Sequence, residues 1–120
     1  MRSDVGRKMN QNPWIQICRG IRRRTIITGP KMYQMRAELD GGSELPVHTH
    51  PQEQVAHVVS GRVRFIVDDK PVEVGPGEST YFTSNQPHGA TTLETAVVID
   101  TFSPPREDYL ALDEKARAAQ

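Results

Sequence analysis

His48-Thr49-His50-Pro51-Gln52-Glu53-Gln54, HTHPQEQ, sets two imidazoles one residue apart, breaks the chain with a proline, then offers an acid and an amide side by side. On an extended chain residues two apart share a face, so His48 and His50 can aim at one point while Thr49 faces the other way. After Pro51 the chain resumes as QVAHVVSG, with Gln54, Ala56 and Val58 on one face and Val55, His57 and Val59 on the other. Glu53 and Gln54 therefore cannot both point inward. A fourth donor arrives much later as His88 in SNQPHG, after the turn that Pro87 helps to set. Three imidazole nitrogens and one oxygen suit Zn, Ni, Fe or Mn, whereas a mostly nitrogen shell disfavours Ca and Mg. His57 has the outward parity and reads as a packed or interfacial histidine, not a fifth ligand.

On both sides of this stretch the chain is made of short β-branched or alternating runs: IRRRTIIT, KMYQMRAEL, QVAHVVS, RVRFIV, KPVEV, STYFT and TAVVIDTF. The segments TGPK, DGGSELP, SG, DDKP, GPGE and SNQPHG supply Gly, Asp, Asn or Pro where the backbone reverses. Many short strands at regular spacing predict an all-β sandwich or closed barrel. Only the end differs. Pro104 and Pro105 stop the last strand, and helix formers predict a C-terminal helix from Asp108 to about Ala119, with Tyr109, Leu110 and Leu112 available to pack on the barrel.

The 120 residues fit one domain, able to bury a core without staples. Residues 1 to about 12 are polar and read as loosely ordered, with Trp14 the first anchor. Fifteen basic and fifteen acidic residues balance, which argues against a nucleic-acid partner and for a small molecule. The triplet Arg22 to Arg24 alternates, Arg22 and Arg24 against Arg23 and Thr25, so it builds no single basic face and reads as a solvated or subunit-facing strand. No stretch is long and apolar enough to cross a bilayer. A single Cys18 and a polar start favour a reducing, cytoplasmic setting, and the thiol reads as buried or interfacial.

A second cluster closes the chain in VVIDTFSPPRED. Asp100 and Phe102 share a face with Val98, and Arg106 follows the prolines. An Asp inside an apolar run asks for a reason. In one reading it is ion-paired to Arg106 or to an inward Arg such as Arg36. In the other it faces the pocket as a general acid or base, with Phe102 as an apolar wall and Arg106 as a carboxylate clamp.

Two stretches resemble the signature motifs of the cupin superfamily. The first motif, Gly, five residues, His-x-His, three or four residues, Glu, six residues, Gly, is similar to Gly42, His48, His50, Gln54 and Gly61. The second, Gly, five residues, Pro-x-Gly, two residues, His, three residues, Asn, is similar to Gly77, Thr83, Asn85, His88 and Thr92, with three of its turn and packing residues replaced. The glutamate position falls on Gln54, and Glu53 goes to the barrel rim. The resemblance implies a single-domain cupin, an RmlC-like jelly-roll β-barrel with a short C-terminal helix, spanning residues 1–120. It also implies a homodimer, for which the N-terminal strands are candidates.

A narrower resemblance, carried by HTHPQEQ and DTFSPPREDYL, is to the pectin-degradation monocupins of the KdgF type, which convert cyclic 4,5-unsaturated uronates to open-chain keto-uronates. It implies metal ligands His48, His50, Gln54 and His88, and site residues Asp100, Phe102 and Arg106. The expected function is thus metal-dependent ring opening, an isomerisation, of an anionic small molecule. The alternatives are a cupin metal dioxygenase, a non-catalytic module that binds a sugar acid or another small ligand, and a cyclisation or dehydration in the same pocket. A neutral ligand such as Gln54 leaves a divalent ion its full charge and makes it more welcoming to an anion.

Overall fold

A computed structural model describes residues 6, 8, 9 and 11–119. Among them the strands are β1 Trp14–Cys18, β2 Ile21–Thr28, β3 Tyr33–Leu39, β4 Glu44–His48, β5 Glu53–Val67, β6 Lys70–Val74, β7 Ser79–Phe82 and β8 His88–Ser103, followed by the helix α1 Glu107–Ala118. The strands form one antiparallel sheet in the order β1-β2-β3-β8-β5-β6, with β4 added to β8 and β7 to β5.

Two long strands make this sheet into a barrel. The first part of β8 pairs with β4 and the last part with β3, while β5 pairs with β7 near its start and β6 near its end. β5 and β8 also pair with each other along nearly their whole length. Each long strand thereby serves both walls of the barrel. The inward residues alternate as the side-chain period of two requires. In β3, Tyr33, Met35, Ala37 and Leu39 are buried; Ala37 and Leu39 join Ala56, Val58, Val63, Phe65, Phe82 and Val98 in the main core, and Tyr33 and Met35 join Phe102 in a second cluster.

The expected reversal at Ser60-Gly61 is absent, because both residues lie within β5. The pairing with β8 shifts register here between Val58 and Val63, and Gly61 has φ +81°. A bulge with a left-handed glycine bends a strand without ending it, so the residue that suggests a turn in sequence is the corner of the barrel. A Cβ on Gly61 would meet the backbone oxygen of Thr95 and lie 2.6 Å from Ala96 Cα. Gly61→Ala should therefore lower stability by about 3 kcal/mol, measurable as a shifted denaturant midpoint. β1 and β4 are strands that the alternation does not single out, and β8 begins at His88, well before the predicted TAVVIDTF.

The helix keeps close to its predicted span, but its contact face differs from expectation. Tyr109 and Leu110 pack against the cluster of Tyr33, Met35 and Phe102, whereas Leu112 is 44% exposed. Its one buried residue is Asp113, matched to Arg23 on β2. The Arg triplet is thus not a solvated strand throughout, since Arg23 points inward and is fully buried. Most of the expected loose N-terminal stretch lies outside the described residues. Asn12 contradicts it: it is buried, donates to Thr25 O at 2.9 Å and accepts from Arg117 Nη1 at 2.9 Å. Asn12, not the exposed Trp14, is the first anchor. No helix among the described residues is long and apolar enough to cross a membrane.

Candidate metal centre

His48 ends β4 and His88 starts β8, and the two are register partners, so strand pairing alone places their rings side by side, 4.5 Å between centroids. His50 lies past the end of β4. The expectation that one strand face carries both His48 and His50 is corrected accordingly: the linker after β4 turns the His50 ring to within 5.6 Å of His48 and 4.9 Å of His88. That linker is tied down by Asn85 N–H to His50 O at 2.9 Å and by Ser84 Oγ to Pro51 O at 2.6 Å. The turn sequence SNQPHG thus holds the opposite loop as well as supplying His88.

The hydrogen bonds fix the tautomers. Each Nδ1 faces a backbone carbonyl: Pro46 O for His48 at 2.9 Å, Gln52 O for His50 at 3.0 Å and Gln86 O for His88 at 2.7 Å. A carbonyl only accepts, so every Nδ1 carries a proton, and in the neutral tautomer Nε2 is the atom that presents a lone pair. One ligand atom from each ring lies within 4.8 Å of the others. His88 Nε2 is buried with no hydrogen-bond partner. Burial drives the His88 pKa down to about 4, which holds that ring neutral, and burial together with the nearby Arg106 charge lowers that of His50. Phe82 stacks on His88 at 4.3 Å and fixes its plane.

Gln54 completes the pattern. Its Nε2 donates to Asp100 Oδ1 at 2.8 Å, which turns Oε1 toward His50 Nε2 at 3.0 Å. With the proton of a neutral His50 on Nδ1, two lone-pair atoms face each other here, an arrangement that a cation alongside would relieve. The donor set and the unsatisfied His88 Nε2 therefore fit a divalent transition metal. Glu53 faces outward at the rim, where it accepts from Tyr81 Oη at 2.7 Å. His57 also faces away, with Nδ1 2.7 Å from Ser79 Oγ.

Asp100 is buried inside the barrel, where burial pushes its carboxyl up to about 6 against the pull of the Gln54 hydrogen bond and the Arg106 charge. It does not pair with Arg36, which turns outward to Glu38 at 3.1 Å. Nor is Arg106 its salt-bridge partner. Arg106 binds Asp108 through Nε at 3.1 Å and Nη2 at 2.9 Å, and its guanidinium lies 4.9 Å from the Phe102 ring centroid. The Phe102 ring meets His50 edge-on at 5.4 Å. His48, Gln54, His88, Asp100, Phe102 and Arg106 line one cavity of about 50 Å³ at the barrel centre. A shallower groove of about 490 Å³ on the β2–β3 hairpin, near Pro30 and Met32, gathers none of these groups.

Sequence reading does not single out Gln52, although the structure gives it two roles. Its carbonyl takes the His50 proton, and its buried side chain donates to Pro105 O at 3.1 Å, one residue before Arg106. The linker therefore ties the imidazole cluster directly to the segment that carries the guanidinium. Cys18 is half-buried beside the core, its thiol 3.6 Å from Glu44 O, and takes no part in the cluster.

Comparison with known proteins gives a consistent picture. The family profile "Cupin domain" matches residues 35–102. The pectin degradation protein KdgF of Dickeya dadantii (strain 3937) is 28% identical over 103 residues, 84% of this chain and 94% of that protein. Among solved structures, KdgF from Halomonas sp. superposes with a TM-score of 0.76 at 28% identity, covering 81% of this chain and 90% of its own. An RmlC-like cupin from Shewanella frigidimarina NCIMB 400 gives 0.77 at 31% identity, covering 82% and 88%.

Proposed function

Because the chain belongs to the cupin-domain family, whose profile covers residues 35–102, we propose that its barrel interior is a metal-dependent active site that opens the ring of 4,5-unsaturated uronates. The observation that carries this reading is the meeting of two features at one cavity: its lining residues His48, His88 and Gln54, with His50 clustered beside them, and a buried acid with a nearby guanidinium. The similarity to KdgF proteins, one of them named as a pectin degradation protein, supports the substrate class.

His48, His50, His88 and Gln54 would hold a Ni, Zn, Fe or Mn ion, which supplies Lewis acidity toward an oxygen of the substrate. The residues of the chain do the rest. Arg106, whose Nε and one Nη2 hydrogen are taken by Asp108, receives the carboxylate through the donors left free, Nη1 among them. Phe102 packs on the sugar ring. Asp100 has Oδ1 engaged by Gln54, which leaves Oδ2 for the substrate. It takes the proton from the hydroxyl at C1; the C1–O5 bond breaks to leave an aldehyde at C1 and an enol oxygen at C5. The protonated Asp100 then returns this proton, to C4, which gives the ketone at C5. No atoms are gained or lost and no electrons leave the substrate, so the reaction is an isomerisation. The cavity of about 50 Å³ would hold only the reacting end of the molecule.

Incubation with unsaturated galacturonate should remove the absorbance of the conjugated double bond without oxygen uptake. Oxygen consumed in the presence of Fe(II) would instead support the dioxygenase reading. Gln54→Glu gives a sharper test. A carboxylate in place of the amide cancels one unit of the ion's charge and faces Asp100 as a second anion. Metal content should be retained while KM for the uronate rises about tenfold, as a steady-state titration would show.

A further inference from the structure

Helix α1 is held to the barrel by charge. Its only buried residue, Asp113, accepts from Arg23 Nη1 at 2.9 Å and from Thr25 Oγ1 at 2.6 Å. The Thr25 proton is committed to the carboxylate, so Tyr33 Oη donates to Thr25 at 2.6 Å. Arg23 in turn holds Tyr109 twice, by Nη2 to the backbone oxygen at 3.1 Å and by its guanidinium 4.1 Å from the ring centroid. The Arg106 guanidinium lies against the same ring at 3.8 Å. A continuous stack thus runs Asp113, Arg23, Tyr109, Arg106.

The ion pair is a poor choice for stability alone. Both side chains are almost wholly removed from water, Arg23 Nε is left without a partner, and a pair of apolar residues there would hold the helix at no greater cost. Such a pair does impose one register and one orientation, which an apolar contact does not. The orientation it imposes is that of the first turn of α1, where Tyr109 meets Arg106.

We propose that Arg23 and Asp113 are positioning residues that act through Tyr109 to fix the Arg106 guanidinium at the barrel cavity for a carboxylate ligand. The proposal rests on the reading of Arg106 as the anion clamp. Asp108 also binds Arg106, but it is 60% exposed and sits on the same turn, so it orients the guanidinium relative to the helix and not relative to the barrel.

The direct test is the Arg106 Nε–H resonance in a ¹⁵N NMR spectrum, assigned by its loss in Arg106→Gln. In the unmodified protein it should be displaced by the Phe102 and Tyr109 rings. Asp113→Asn and Tyr109→Leu should each move it toward the position of an exposed arginine, and Tyr109→Phe, which keeps the ring and loses only the hydroxyl contact, should move it less than Tyr109→Leu does. If Asp113→Asn fails to fold, Tyr109→Leu carries the test, since it leaves the buried pair intact. A resonance that stays in place in folded Asp113→Asn or in Tyr109→Leu overturns the proposal. With unsaturated galacturonate, Tyr109→Leu should raise KM roughly tenfold with kcat nearly unchanged, and should have no further effect in an Arg106→Gln background. Additive effects on KM would also overturn it. A protein that makes no product at all defeats the proposed reaction, while the resonance still decides the positioning of Arg106.

Discussion

Asp100→Asn is expected to lower kcat on unsaturated galacturonate by about 10²–10⁴-fold, the range that a positioned proton-transfer group contributes, and to leave metal content unchanged. The two halves of this expectation come from different atoms of one side chain. Asn keeps an oxygen that can accept from Gln54 Nε2, so the amide still presents Oε1 toward His50 and the donor set is preserved. What is lost is the second carboxylate oxygen, which the mechanism uses for the proton. Thermal stability should not fall, because the wild-type carboxyl is buried at a cost that an amide does not incur. Turnover that survives the substitution removes Asp100 from its role.

His88→Ala should abolish tight metal binding, with affinity falling by more than the roughly 10–100-fold typical of losing an outer-shell partner, and activity should vanish with it. The expectation rests on Nε2, a buried lone pair with no protein partner, on a ring held neutral by burial and locked by Gln86 O and Phe82. His57→Ala is the matched control, since that ring faces outward to Ser79. Metal analysis of the two purified variants should show loss in the first and full occupancy in the second. Equal occupancy in both would move the metal elsewhere.

Much of this site is legible in the sequence alone. Face alternation after Pro51 sends Gln54 inward with Ala56 and Val58 and Glu53 outward, and the structure shows that arrangement. The spacing from Gly42 to Thr92 brings His88 to the same cluster as His48 and His50. What escapes sequence reading has physical reasons. Gly61 at a bulge and glycine at a turn share the same conformational demand, so the SG corner of β5 reads as a reversal. His50 reaches the cluster from a linker, where strand parity has no force. Arg23 shares its parity with Ile21 and Thr25, which is a usable signal for burial, but its partner Asp113 is 90 residues away and nothing local announces it. The same holds for Gln52, whose role exists only once Pro105 is beside it.

On the proposed function, a metal held at this cluster and the acid beside it would together open an unsaturated uronate ring. The most direct measurement follows the double-bond absorbance of unsaturated galacturonate with three samples: the protein as purified, the protein stripped by chelator, and the stripped protein reloaded with Ni, Zn, Fe or Mn in turn. Decay is expected with the first, a flat trace with the second, and recovery with at least one of the four metals in the third. Equal decay before and after stripping, or a flat trace in every sample, would contradict it.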